Sequence, residues 1–482
     1  MNHNLWTAYE AAAATGGMLC VRGGGDGAEL PEESWSARGI SIDTRTIRPG
    51  EIFVALKDAR DGHDFIRNAF KAGASAALVS KAPQDTPDGA PLLLVNDTLT
   101  GLEALAAAAR DRCFGQMIAV TGSAGKTSTK EMLRAALVPS GKVHAAERSF
   151  NNHLGVPLTL AELPNDTAFG VFEIGMNHAG EITPLTRLVR PHIAIVTTVA
   201  AAHLEFFDNM TGIAEAKAEI FAGLRKSGVA ILPRDNEFYD LLKARVRDNN
   251  PAGATQKIVS FGSHPEADYR LLDINSRGDE GMDISVSISG ETHHFRLGLQ
   301  GEHQAMNAMA VLAAVDHAGG DRSAAMEALA GLAPVEGRGL PQVLSLQART
   351  FTLIDESYNA NPASMAAAIR SLAQQDVPGR KIVVLGEMKE LGSQSAAFHL
   401  ELAPVLEDAG IDKVYAAGNE MRPVLNALPS TMRGDWAEQA IGLADAVSRD
   451  IQAGDVVMAK GSNASKVSAL VKELQNRATA SG

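Results

Sequence analysis

Cysteine and aromatic residues are scarce in this chain. Two cysteines and three tryptophans occur among 482 residues, and aromatics make up 5%. Cys20 and Cys113 lie far apart and match no metal-ligand spacing, so neither a disulfide framework nor a zinc cluster is expected. Such a pair suits a reducing compartment. An excess of basic charge is also lacking: 44 Lys and Arg face 57 Asp and Glu, for a net charge of −13. That balance disfavours a nucleic-acid footprint while leaving room for local basic pockets that hold small anions. No apolar run approaches the roughly 18 residues of a membrane span. The opening MNHNLWTAYEAAAATGG has no basic leader region and reads as a first helix. These absences point to a cytoplasmic chain with no membrane insertion and no nucleic-acid partner, expected as a monomer.

What is present is ordinary globular material, 45% hydrophobic and 21% charged, enough for about three domains at roughly 150 residues each. The pattern divides into 1–112, 113–333 and 334–482. The first block mixes short apolar strands (50–56, 76–80, 91–97) with helical patterns and forms a small α/β domain. The second alternates buried-strand runs, QMIAVTG, AFGVFEIGM and PHIAIVTTV, with helices, the pattern of a mostly parallel sheet. Around 258–299 its texture changes: Ile284, Val286 and Ile288 alternate with serines, as in half-exposed antiparallel strands. The third block is a Rossmann-like α/β domain, with polar turns at strand carboxyl ends where open sheets gather ligands. Pro334 and the Gly337/Gly339 pair mark its boundary.

The stretch AVTGSAGKTSTKEML runs from a buried strand through a glycine turn into a helix. Small residues let the backbone N–H groups of Gly122, Ser123, Ala124 and Gly125 face one centre, and the helix start adds its positive dipole end. Lys126 brings a mobile charge for phosphates, and Thr127, followed by Ser128, offers a hydroxyl for Mg²⁺. Only two residues separate Gly122 from Gly125, where the usual nucleotide loop has four between its glycines. That spacing argues against an ordinary motor or GTPase.

Other residues carry chemistry by position. Glu173 ends the strand run AFGVFE and suits an oxygen-seeking cation, although a solvated strand-end acid reads similarly. Lys217 lies on the apolar stripe of Ile213, Ile220, Phe221 and Leu224 rather than on a solvated face. Burial there lowers a lysine pKa, and a neutral amine reacts with CO₂. His203 alone reads as a structural histidine, and Asn307 as an exposed helix residue. No G-x-S-x-G signature or patterned Cys/His pair accompanies them.

The shortened T-G-x-x-G-K-T/S loop resembles that of the Mur ligase and folylpolyglutamate synthetase superfamily. Further segments follow in the family's order: SFNNHLGVPLTL, EIGMNHAGEI, AAAHLEFF, EAKAEIF, GEHQAMNAMA, EGRG, DESYNANPASM and LGEMKELG. They cover all three blocks, and together they are far more specific than any one motif. The resemblance implies ATP and Mg²⁺ and a reaction that joins a carboxylate to an amine through an acyl phosphate. It implies Lys126, Lys217, His203 and Arg338 as catalytic residues, and Thr127, Glu173, His203 and a carbamylated Lys217 at the metal, with Glu205 orienting the loop. His303 and Asn307 fall near the base, and Arg338 and Asp355 near the γ-phosphate and ribose.

The N-terminal domain would take the UDP-muramoyl peptide through Ser41, Asp43, Thr44 and Arg45, though the same residues make an equally natural polar turn. Asn151, Asn152 and His153 fall on the muramoyl-peptide path, or simply stabilise a turn. Tyr358, Asn359, Asn361 and Ser364 replace the D-N-P-R type sequence of the diaminopimelate-adding branch. They point instead to D-alanyl-D-alanine as amine and UDP-N-acetylmuramoyl-tripeptide as acceptor, with Lys389 or Lys460 as further contacts. The folate branch tends to read G-K-G-S where this chain has Gly125-Lys126-Thr127-Ser128. A nucleotide-binding module without chemistry is the rival of another class, and retention of Lys126, Glu173, His203, Lys217 and Arg338 together argues against it.

Overall fold

The computed structural model describes residues 4–21, 34–249, 255–334 and 337–479. Strands Met18–Val21, Pro91–Leu94, Ala76–Val79, Glu51–Val54 and Gly39–Ser41 lie side by side in that order, antiparallel only at the first pair. Before them runs the predicted first helix, Ala8–Thr15. It forms because Thr7 and Glu10 complete a capping box, and it ends at Gly16 in the left-handed region.

A nine-stranded sheet follows. Its centre places Gln116–Thr121 between Ile193–Val196 and Phe169–Glu173, all parallel, so the three strand carboxyl ends meet at one edge. Tyr269–Ser276, Met282–Ile288 and Glu291–Leu297 add antiparallel pairing at one side, and Ile284, Val286 and Ile288 point inward as their alternation predicts. Lys257–Gly262 corrects the expected boundary: it pairs parallel on both sides. Its last four residues are buried in succession, so no alternation exists there to mark an exposed face.

The third sheet orders Leu340–Leu346, Arg349–Glu356, Val456–Lys460, Lys381–Gly386, Lys413–Ala417 and Arg433–Ala437, parallel apart from the first pair. Leu340–Leu346 is an edge strand that the sequence pattern did not announce, with Val343 74% exposed.

The first two units share one hydrophobic core, which runs from Trp6, Ile52 and Leu105 to Met117, Leu160 and Phe172. Trp6 Nε1 donates to the Ala161 carbonyl at 2.9 Å, and the Arg112 guanidinium lies 4.0 Å above the Trp6 ring. Arg110, buried at the end of helix Thr98–Arg112, donates to the carbonyls of Val189, Cys113 and Arg190. Glu162 closes this contact, its Oε1 accepting from the Ile40 N–H at 3.4 Å.

Burial raises the Glu162 carboxyl to about 7, with the nearby Glu51 charge adding to the effect. An acid raised in the folded state stabilises it fully below the unfolded pKa and loses that contribution as pH rises through the folded value. The melting temperature should therefore fall between pH 5 and pH 8, by the equivalent of roughly 3 kcal/mol at most. Glu162→Gln should flatten that slope in a thermal-shift series. An unchanged slope in the variant would place the pH dependence elsewhere.

Candidate active site

The phosphate loop emerges from the fully buried end of strand Gln116–Thr121. Gly122 has φ 151°, and a Cβ there would stand 1.8 Å from Thr197 Oγ1. Gly125 has φ 82°, and a Cβ would meet Asn307 Oδ1 at 2.7 Å. Both glycines are required by space as well as by conformation. The two residues between them are fastened to the neighbouring strand's end: the Ser123 N–H donates to Thr198 O, its Oγ to Ala200 O, and Thr197 Oγ1 to Ala124 O. Helix Lys126–Leu137 then begins with no side-chain cap, leaving its first N–H groups to a ligand. Lys126 curls back so that Nζ donates to Gly122 O at 2.6 Å. Desolvation lowers its pKa, partly offset by the Glu173 charge.

Thr127 is where the units meet. Its Oγ1 lies 2.9 Å from Glu173 Oε2 and 2.8 Å from Ser149 Oγ, and it accepts from Arg338 Nη2 at 2.9 Å. Asn151 Nδ2 donates to the other Glu173 oxygen at 2.8 Å. Arg338 is braced by the Tyr358 ring, 4.1 Å from its Cζ. Beside it, Asn361 Nδ2 donates to Ser123 O at 3.2 Å while Oδ1 caps helix Pro362–Ala373 by accepting from the Ser364 N–H. The polar groups of Asn361 and Ser364 are thus engaged in a capping box. Glu336 of the EGRG motif lies outside the described residues.

Lys217 is 2% exposed among Ile213, Ile220 and Phe221, as its place on the apolar stripe predicts. Among the described residues no side chain or carbonyl is paired with its Nζ. Burial, with the Lys126 charge adding, pushes its pKa well below the ordinary lysine value. His203 sits in the left-handed region at φ 60°, and its Nδ1 lies 2.5 Å from Glu390 Oε2 of the third unit. The Glu205 N–H donates to the Glu390 carbonyl at 3.0 Å.

A cleft of about 450 Å³ between the second and third units is lined by Ser128, Leu299, His303, Gln304, Arg338 and Met458, among others. His303 is desolvated, which lowers its pKa. Asn307 approaches Gly125 from the same helix, and Asp355 accepts from the Ser357 N–H.

The N-terminal residues form a separate group. Asp43 pairs with Arg45 at 2.6 Å, a contact that holds its carboxyl at about 2, and Ser41 Oγ donates to Asp43 O. Thr44 is half-buried in the same turn. Asn152 Oδ1 accepts from the N–H groups of Leu154 and Gly155 in the turn before helix Gly155–Ala161, and His153 is exposed. Asn359 Oδ1 accepts from the Ala360 N–H; Lys460 is paired with Glu356, and Lys389 with Glu387.

Ser149 and Glu390 lie inside the segments SFNNHLGVPLTL and LGEMKELG and carry no signal of their own in the sequence. Each lies within two residues of a noted position, Asn151 and Lys389, and that closeness was the available signal.

The chain matches three family descriptions in succession: the Mur ligase catalytic domain over 36–139, the Mur ligase middle domain over 120–315, and the Mur ligase glutamate ligase domain over 342–463. It is 33% identical to the UDP-N-acetylmuramoyl-tripeptide--D-alanyl-D-alanine ligase of Rickettsia prowazekii, covering 90% of this chain and 95% of that protein. The Escherichia coli protein of that name is 35% identical over 91% of this chain and 94% of its own length. MurF from Acinetobacter baumannii superposes with a TM-score of 0.82 at 29% identity, covering 98% of this chain and 99% of that one. MurF ligase from Thermotoga maritima in complex with ADP does so at 0.74 and 26% identity, covering 92% and 99%. The chain belongs to the Mur ligase family.

The contacts Arg338–Thr127 and Glu390–His203 both hold the third unit against the second. Replacing Arg338 and Glu390 together by alanine should raise the radius of gyration measured by small-angle scattering. An unchanged value would show that these two side chains do not keep the units closed.

Proposed function

We propose that this protein joins D-alanyl-D-alanine to the terminal carboxylate of UDP-N-acetylmuramoyl-tripeptide with the conversion of ATP to ADP and phosphate, giving the pentapeptide precursor of peptidoglycan. Relatives of that name match along nearly the whole chain. The single observation that carries the reading is the bond from Arg338 of the third unit to Thr127 of the phosphate loop. It brings a fixed cation to the place where phosphoryl charge moves. The loop's uncapped helix start and curled Lys126 fit a nucleotide, as does the adjoining cleft with His303, Asn307 and Asp355 toward base and ribose.

Carboxylates resist amines because resonance and charge repel attack. The acceptor carboxylate oxygen bonds to the γ-phosphorus as the bond to ADP breaks. The D-alanyl-D-alanine nitrogen then bonds to the acyl carbon, phosphate leaves with the acyl oxygen, and the amine proton passes to solvent or phosphate. Lys126 and Arg338 neutralise the phosphoryl oxygens along that path. Closure of the third unit excludes water from the acyl phosphate.

The donor set at Thr127, Glu173 and Ser149 is all oxygen, which fits Mg²⁺ shared with phosphates. Among the described residues no three His, Cys, Asp or Glu side chains form a cage, so the protein would supply only part of the shell. When bound, Mg²⁺ would offset phosphate charge. Its protein contacts would be Thr127 and Glu173, joined by His203 and by Lys217 as a carbamate. The unpartnered Lys217 amine suits that modification: nitrogen bonds to the carbon of CO₂ and a proton is lost.

Residues 1–112 would take the UDP-muramoyl end through Ser41, Asp43, Thr44 and Arg45, and 113–333 the ATP. The dipeptide would lie against 334–482 near Tyr358 and Asn359. No helix among the described residues is long and apolar enough to cross a membrane. A cytoplasmic site of action is part of the proposal.

Phosphate release measured with three acceptor and amine pairs tests the reading. UDP-muramoyl-tripeptide with D-alanyl-D-alanine should be active, and UDP-muramoyl-dipeptide with diaminopimelate, or a folate with glutamate, should not. Activity only with either of the latter pairs would overturn it. Lys217→Ala should lose at least a hundredfold in kcat, and CO₂-depleted buffer should slow the native protein until bicarbonate is restored. Full activity of the variant, with no response to bicarbonate, would remove the carbamate from the scheme.

A further inference from the structure

We infer that Lys130 is a positioning residue for the acceptor substrate, acting through the loop of residues 146–151; this rests on the ligase reading above. Lys130 lies four residues beyond Lys126 on the same helix, yet its side chain is completely buried. A buried ammonium requires partners, and a methionine would fill the same space without that demand. Its partners are specific. Nζ donates to the carbonyls of Ala146 at 2.6 Å and Arg148 at 3.3 Å, and pairs with Glu131 at 2.9 Å. Glu131 is itself fixed by Arg134.

The carbonyls that Lys130 holds belong to a largely exposed connection between strand Val143–Ala145 and helix Gly155–Ala161. Two residues of that connection reach the phosphoryl site. Ser149 Oγ lies 2.8 Å from Thr127 Oγ1, and Asn151 Nδ2 donates to Glu173. The Asn151 carbonyl also accepts from the Gly175 N–H at 2.8 Å. At the other end, the Arg148 charge acts on Asp43 in the N-terminal unit, and Arg48 approaches Glu147 at 3.8 Å. The loop therefore spans from the proposed uridine-diphosphate turn to the phosphate loop, the line along which an acceptor nucleotide with a peptide tail would lie. Lys130 anchors it from beneath, on the helix that also presents Lys126 and Thr127. One rigid element thereby sets the nucleotide loop and the acceptor path in register.

Steady-state kinetics and amide hydrogen exchange on Lys130→Met test this. The KM for UDP-muramoyl-tripeptide should rise tenfold or more while the KM values for ATP and D-alanyl-D-alanine stay within about twofold. Exchange in residues 145–152 should accelerate at least tenfold, and Lys130→Arg, which keeps charge and donors, should recover part of both effects. Equal changes in all three KM values, or an unaltered KM for the acceptor with unaltered loop exchange, would overturn the inference. Should Lys130→Met fail to fold, Lys130→Gln, shorter and uncharged but still a donor, is read by the same criteria. A native protein that releases no phosphate with this acceptor would instead refute the ligase reading itself.

Discussion

The hydroxyl of Thr127 is the point on which the site's geometry depends. A threonine hydroxyl has one proton and two lone pairs, and here its oxygen meets three polar side chains at 2.8–2.9 Å: Glu173, Arg338 and Ser149. The four side chains come from the phosphate-loop helix, a neighbouring strand, a loop and the third unit. None could shift far without leaving a polar atom unsatisfied in a buried place. The proposed nucleotide site is therefore assembled by the relative placement of two units rather than contained in one.

Three lysines on or beside this centre show how partners decide what one residue type does. Lys126 is tethered lightly to its own loop, an arrangement that a phosphate can replace. Lys130 is fully partnered by carbonyls and a carboxylate, so it remains fixed. Lys217 has burial without a partner among the described residues, and that burial, with the Lys126 charge, lowers its pKa. Sequence periodicity exposed only the third. Four- and three-residue spacing from Ile213 and to Ile220 placed Lys217 inside, while nothing local distinguished the buried Lys130 from a solvated helix lysine.

Legibility followed the range of the interactions. The glycine turn was readable because its demands are local to a few residues, and Glu173 because a buried strand ends on it. Asn361 and Ser364 also make the capping box of helix Pro362–Ala373, a role that stayed hidden because a sequence does not show whether an amide faces outward or caps the next helix. The Glu390 partner of His203 lies 187 residues away in the chain, a distance no pattern spans. Leu340–Leu346 has no mark in the sequence because an edge strand with Val343 outward lacks the buried run of its neighbours.

Asn361 has a consequence beyond its two hydrogen bonds. It sets the start of helix Pro362–Ala373 against Ser123, so that a second helix amino end faces the loop already served by helix Lys126–Leu137. Each such end carries about half a positive elementary charge. Anion attraction at the loop is consequently a sum over two bodies, and the part owed to helix Pro362–Ala373 and Arg338 arrives only when the third unit docks. Electrostatic potential, rather than shape alone, then distinguishes the docked enzyme from the undocked one, and a polyphosphate tail is what would feel the difference most.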